Sequence, residues 1–168
     1  MTRELKYTIS NIGIGWVGIL GSSRGLVCTT LPLPSAQEAK QQLGDRVKGA
    51  ILSDNFFADL LKRLRSYFSA HKTSFTDELD PLSATAFQRQ VWEITRLIPH
   101  GETRSYSWVA EQLGKEGAVR AVGRALGKNP LPIIIPCHRV VEKDGRLGGY
   151  SGGVGIKKYL LRLEASAV

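Results

Sequence analysis

Apolar residues alternate with polar ones near the start of the chain and recur every three or four residues further along, so strands are expected first and helices later. Lys6-Tyr7-Thr8-Ile9-Ser10 and Ile14-Gly15-Trp16-Val17-Gly18-Ile19-Leu20 are rich in β-branched and aromatic residues. Ser22-Ser23-Arg24-Gly25 supplies turn chemistry before Leu26-Val27-Cys28-Thr29-Thr30-Leu31, and the three segments read as a hairpin or meander. Pro32 and Pro34 end the last of them. Ser35 can then cap a short helix over 35–44, and Asn55 precedes a stronger one. There Phe56, Phe57, Leu60, Leu61, Leu64, Tyr67 and Phe68 recur at helical spacing, with Lys62, Arg63 and Arg65 between them. Residues 71–83 are polar and aperiodic, which places a linker around 72–82.

The second half is largely helical in pattern. Thr85 and Gln88 have capping-box spacing ahead of Phe87, Val91, Trp92, Ile94 and Leu97, and Pro99 stops that helix. Short helices over 107–113 and 118–128, joined through Gly114, suggest a helix-turn-helix. Arg120, Arg124 and Lys128 stand four residues apart and give the second of these a basic face. Ile133-Ile134-Ile135, β-branched and flanked by prolines, reads as a buried strand that leads straight into Pro136-Cys137-His138-Arg139. A glycine-rich loop over 145–155 carries Tyr150 and Ser151, and a closing helix over 156–164 brings Leu160, Leu161 and Leu163 to the core.

Composition narrows the class. At 168 residues the chain allows one ordinary domain or two small ones. With 42% hydrophobic and 23% charged residues it can bury a core, which excludes disordered and collagen-like chains. Its longest apolar run is too short for a bilayer and no apolar leader follows Met1, so the expected compartment is the cytoplasm, with no membrane partner. Cys28 and Cys137 can make one disulfide at most, and His71, His100 and His138 are scattered, so a four-cysteine zinc site is excluded. Cys28 reads as a small buried hydrophobe. The formal net charge of +8 is uneven: residues 1–80 carry 10 basic against 8 acidic side chains, residues 81–168 carry 13 against 7. A basic second half attracts polyanions, nucleic acid foremost.

Cys137 is the candidate nucleophile. It sits between a proline that restricts the backbone and an imidazole and guanidinium that can lower a thiol pKa from about 8.5 and raise the thiolate fraction. Adjacent residues of a strand face opposite sides, so contact with His138 requires a bend or a bridging water. Standing alone, the dipeptide would be a buried cysteine beside a surface histidine.

It does not stand alone. Ile135-Pro136-Cys137-His138-Arg139-Val140-Val141, preceded by Gly127-Lys128-Asn129-Pro130 and followed by Gly148-Gly149-Tyr150-Ser151-Gly152-Gly153, closely resembles the active-site region of the O6-alkylguanine-DNA alkyltransferases. Phe87-Gln88-Arg89-Gln90-Val91-Trp92, Pro99-His100-Gly101-Glu102-Thr103-Arg104-Ser105-Tyr106 and Arg120-Ala121-Val122-Gly123 extend the match over essentially all of 85–164. Residues 1–80 match only loosely.

The resemblance implies an α+β chain: a small α/β, ribonuclease H-like domain over 1–80, then a mainly helical winged helix-turn-helix domain over 81–168. It implies a repair protein that flips O6-alkylguanine out of double-stranded DNA, from the minor groove, and moves the alkyl group irreversibly to its own Cys137. His138 would take the thiol proton through a water, Glu164 would orient the imidazole, and Asn129 would tie the helix-turn-helix to the active-site segment. Tyr106 would serve the departing guanine and help rotate the nucleotide, and Arg120 would fill the vacated stack. Ala121, Gly123 and Arg124 would contact DNA. Val140, Gly148, Tyr150, Ser151 and Lys157 would form the substrate pocket, with backbone carbonyls of Cys137 and Val140 accepting from the guanine amine. No cofactor or metal is implied, each molecule reacts once, and a monomer suffices. Gly152 and Gly153 stand where many bacterial relatives carry a bulkier residue, which implies tolerance of larger alkyl groups. Two other classes fit the residues less well: a lesion-sensing DNA-binding module without chemistry, and a Cys-His hydrolase, which needs an oxyanion hole and a deacylating water.

Overall fold

The computed structural model describes residues 3–150 and 152–168, which form two compact units, Met1–Leu82 and Ser83–Val168. In the first, β1 (Lys6–Asn11), β2 (Trp16–Ser22) and β3 (Gly25–Thr29) make the expected antiparallel meander. A two-residue strand, β4 (Ile51–Leu52), adds in parallel to β1, giving the order β3-β2-β1-β4. That strand is too short to leave a periodic signal in the sequence. β2 is buried along almost its whole length because it is central and carries apolar residues on both faces. Helix α1 (Ala36–Leu43) starts where Ser35 accepts from the Glu38 amide. It packs so closely that a β-carbon on Gly18 would lie 2.9 Å from Leu43 and 3.0 Å from the Ala39 carbonyl. Leu20, Val27, Cys28, Leu43 and Val47 form the core on this side, with Cys28 the buried hydrophobe expected of it.

Helix α2 (Ala58–Phe68) buries Leu60, Leu61, Leu64, Tyr67 and Phe68 on the predicted face. The segment read as a linker is not free: Leu26 donates to the Glu78 carbonyl at 2.9 Å, and the Asp80 amide donates to Leu26 at 2.7 Å. Arg63 clamps Asp77 through two bonds of 2.9 and 2.7 Å, and Arg3 pairs with Asp80. Polar side chains hide such packing from a periodicity reading, because what joins the segment to the sheet edge is its backbone.

The second unit holds α3 (Ala86–Thr95), α4 (Tyr106–Gln112), α5 (Val119–Gly127) and α6 (Val154–Ala165). The Thr85–Gln88 capping box opens α3 with both reciprocal bonds in place. Ser105 caps α4 by accepting from the Trp108 amide at 3.0 Å. The buried Trp92 indole donates to the Ala125 carbonyl at 2.9 Å and fixes α5 against α3. A two-stranded parallel sheet joins β5 (Arg104–Ser105) to β6 (Val140–Val141), so the start of α4 is tied to the residues just past Cys137.

The expected strand over 133–135 does not form. Its isoleucines are buried, but the segment turns sharply, with the Ile135 amide donating to Leu131 at 2.8 Å and Ile133 at φ 76. Prolines at 130, 132 and 136 lack the amide hydrogens that a ladder needs, and Asn129 takes over the local backbone instead, accepting from Leu131 and donating to the Ile135 carbonyl. A left-handed conformation at a β-branched residue costs on the order of 1–3 kcal/mol and stands here three residues before Pro136, where the Pro-Cys-His segment starts.

Candidate active site

Cys137, His138 and Arg139 form one turn of 3₁₀-helix, which replaces the strand end expected there. The turn supplies the bend that strand geometry forbids, and all three residues are buried. Cys137 is 6% exposed, yet it lines a cavity of about 360 Å³ together with Tyr106, Gly148, Gly149 and Tyr150. Gly123, Leu126 and Gly127 of α5 form another wall. Glycine at 123 and 127, one helical turn apart, keeps that wall thin.

Burial pushes the Cys137 thiol up, against the opposing pull of Asn129, Tyr150 and Lys157. The sequence expectation of a thiol activated by its chain neighbours is therefore corrected: the groups that pull the thiol down are brought to it by the fold, desolvation outweighs them, and the resting sulfur is protonated. Asn129 Nδ2 stands 3.0 Å from the sulfur. The Tyr150 hydroxyl is buried and makes no hydrogen bond of full geometry among the described residues, but it lies within electrostatic reach of the same sulfur.

His138 is fully buried, and its Nε2 lies 2.5 Å from Glu164 Oε2. Burial pulls the imidazole down, more strongly than Glu164 raises it, so the resting ring is neutral. Glu164 is also buried, but His138 and Arg139 outweigh the upward push of desolvation and hold its carboxyl well below the usual carboxylate range. An ionised carboxylate only accepts, so Nε2 carries the ring proton and donates it. The Gly101 amide, at 3.2 Å, and the Arg139 guanidinium hold Glu164 from other sides.

Lys157 lies on α6 with no solvent exposure. Its ammonium donates to the carbonyls of Val140 at 2.7 Å and Gly149 at 3.2 Å, to that of Leu147, and to the Tyr106 hydroxyl at 3.4 Å. Burial lowers its pKa to about 8. These bonds tie the glycine-rich loop to β6, which is what shapes the cavity. Tyr106 opens α4, and its hydroxyl, pushed up by burial and by Cys137, also donates to Gly149 at 3.4 Å.

The named residues thus fall into three groups. Cys137, Tyr106, Gly123, Gly148 and Tyr150 meet at the cavity, with Asn129 on the sulfur and the His138–Glu164 pair adjoining Cys137 in the chain. Val140 and Lys157 are buried supports and not cavity wall. Arg120 and Arg124 are exposed on α5 and Ala121 is half-buried there, while Ser151 lies outside the described residues. Arg139 and Glu142 were missed as site residues: Arg139 binds Glu164, and Glu142 joins the cavity wall. Arg139 stands inside the Pro-Cys-His-Arg run, but only its contact with a residue 25 positions away shows what it does. Among the described residues no group of three His, Cys, Asp or Glu side chains gathers as metal ligands would, and no helix is long and apolar enough to cross a membrane.

Comparison with known proteins bears on the family of the chain. The family described as 6-O-methylguanine DNA methyltransferase, DNA binding domain, matches residues 86–166. The chain is 50% identical over 110 residues to the methylated-DNA–protein-cysteine methyltransferase of Mycobacterium bovis, a match that spans 66% of this chain and 66% of that relative. It is 48% identical over 120 residues to the Mycobacterium leprae protein of the same name, spanning 71% and 72% of the two chains. The crystal structure of Mycobacterium tuberculosis OGT in complex with DNA is similar at a TM-score of 0.80 and 38% identity, over 96% of this chain and 93% of that one.

Proposed function

As a member of the methylated-DNA–protein-cysteine methyltransferase family, the chain, we propose, repairs DNA by moving the alkyl group of O6-alkylguanine irreversibly onto its own Cys137. One observation carries this reading: the buried thiol and the basic helix α5 share a single cavity. The first domain, 1–80, is read as a ribonuclease H-like module, and 81–168 as a winged helix-turn-helix that enters the minor groove as a cytoplasmic monomer.

Arg120, Ala121 and Arg124 meet the duplex, and Arg120 fills the gap left by the flipped nucleotide. Contacts to backbone and shape suit a lesion that occurs in any sequence, and flipping costs a few kcal/mol, less for a damaged base. The guanine enters between Tyr106 and the Gly148–Tyr150 wall, which brings its alkyl group to the Cys137 sulfur. The thiol proton passes through a water to Nδ1 of His138, while Glu164 stays ionised and stabilises the imidazolium. Sulfur attacks the alkyl carbon, the carbon–O6 bond breaks, and its electron pair remains on guanine. Tyr106 donates a proton to the departing base and regains one from the imidazolium through solvent, so the original thiol proton is accounted for on guanine. The product is a thioether that water does not cleave at neutral pH, so one chain repairs one lesion.

Intact mass spectrometry after incubation with a duplex containing O6-methylguanine tests the reading. The expected result is one methyl per chain, mapped to Cys137, with Cys137→Ala still binding DNA and gaining nothing. Binding without any gain of mass by the unaltered chain would identify a lesion sensor and overturn it.

A further inference from the structure

Glu164 is held by more than the imidazole it orients. Its Oε1 accepts from Arg139 Nε at 2.8 Å, and its Oε2, the oxygen that accepts from His138, also accepts from Arg139 Nη2 at 3.1 Å. The third arm of the guanidinium, Nη1, donates to the Ile98 carbonyl at 2.8 Å. Arg139 is 7% exposed, so this is a buried, two-point clamp anchored to the turn that ends α3. A planar fork suits a carboxylate in a way that a single ammonium cannot.

We propose that Arg139 is a positioning residue for alkyl transfer, clamping the Glu164 carboxylate so that it orients His138 without retaining the proton that His138 must pass on. This rests on the reading of Cys137 as nucleophile and His138 as its base. The charged groups acting on the imidazole are Arg139 on its own turn, and Glu164 and Lys157 on α6, with the titratable Cys137 next to it in the chain. A buried carboxylate with no counter-charge would stabilise the imidazolium so strongly that the ring would already be protonated at neutral pH. Such a ring cannot accept from a thiol. The guanidinium cancels much of that field while fixing both carboxylate oxygens, so the ring rests neutral and charges only when the thiol gives up its proton.

The test uses the full chain with Arg139→Lys, Arg139→Met and Glu164→Gln over pH 5–9. Two rates are followed: methyl transfer from a duplex containing O6-methylguanine, and iodoacetamide alkylation of Cys137 without DNA, read by peptide mapping. Arg139→Met should move the acid limb of both profiles up by about one pH unit, about tenfold in rate along that limb. Arg139→Lys keeps the charge and should keep the limb, but it should slow both reactions about three- to tenfold because one oxygen is released. An unmoved limb in Arg139→Met overturns the proposal. Where near-ultraviolet circular dichroism shows that Arg139→Met does not fold, the double variant decides. Arg139→Lys in the Glu164→Gln background should be no slower than Glu164→Gln alone, and losses that multiply would overturn the idea. Because iodoacetamide needs no DNA, a wild-type chain that accepts no methyl, together with an iodoacetamide limb that still shifts in Arg139→Met, refutes the repair reading and leaves the role of Arg139 standing.

Discussion

Asn129 holds the Cys137 sulfur in place: its Nδ2 stands 3.0 Å from Sγ and 2.8 Å from the Ile135 carbonyl, while its Oδ1 accepts from the Leu131 amide at 2.8 Å. One side chain therefore organises the turn and stabilises charge on the nucleophile. Asn129→Ala should destabilise the chain by about 1–3 kcal/mol, since buried backbone groups lose their partner. It should also slow iodoacetamide alkylation of Cys137 at pH 7 by about tenfold, because the thiol pKa rises further. Urea unfolding and alkylation kinetics check the two effects, and a variant as reactive as the parent would remove Asn129 from the thiolate's support.

Gly148 has φ 71, and a β-carbon there would lie 2.8 Å from the Tyr106 hydroxyl. Gly148→Ala should cost about 1–3 kcal/mol in backbone strain and displace Tyr106 from the cavity. Methyl transfer should fall at least about tenfold, since misplaced reacting groups lose rate steeply. Unchanged transfer kinetics would show that Tyr106 moves aside without consequence.

Glu164 contributes stability that depends on pH in one direction. Its folded carboxyl lies well below the usual range, because the hydrogen bonds of His138 and Arg139 outweigh burial. Above its unfolded value, about pH 4.3, both states are ionised and the whole contribution is present. As pH falls below that value the unfolded chain binds a proton that the folded chain refuses, and stability declines. Urea midpoints measured from pH 6 to pH 3 should fall for the parent and fall less steeply for Glu164→Gln. Parallel slopes would count against an ionised Glu164.

Arg120 is exposed near the start of α5, the helix that walls the cavity with Gly123 and Gly127. If its side chain offsets about 2 kcal/mol of flipping, Arg120→Ala should slow transfer from duplex DNA about thirtyfold. Reaction of Cys137 with iodoacetamide should not change. Equal losses in both assays would mean that the substitution damages the site itself.

Glycines at 148 and 149 line a cavity of about 360 Å³, and a side chain at 149 would meet open space. Benzyl transfer from O6-benzylguanine should proceed within about tenfold of methyl transfer, because an uncrowded pocket rejects extra apolar volume only weakly. A strong preference for methyl, measured by intact mass over time, would show that the loop closes more tightly on its substrate.

Much of the fold was legible in local patterns. Alternation marked the meander, three- and four-residue spacing marked α2 and α3, and Thr85 with Gln88 announced a cap, since these signals depend only on neighbours in the chain. The isoleucines at 133–135 misled for the same reason. Their β-branched, apolar character is that of a strand, but the prolines lack ladder amides and the Ile135 backbone pairs within the turn, with Leu131 and Asn129, instead of with a neighbouring strand. Strands β4, β5 and β6 have two residues each, too few for a period to register.

By itself the sequence determined which atoms are available: a thiol, an imidazole, a carboxylate and a basic helix, in an order that resembles one family. Only the tertiary structure decided their states. It raised the thiol by burying it, kept the imidazole neutral, and ionised Glu164 by setting Arg139 against it from 25 residues away. Desolvation and pairing are set by which surfaces pack together, and no run of neighbouring residues carries that information.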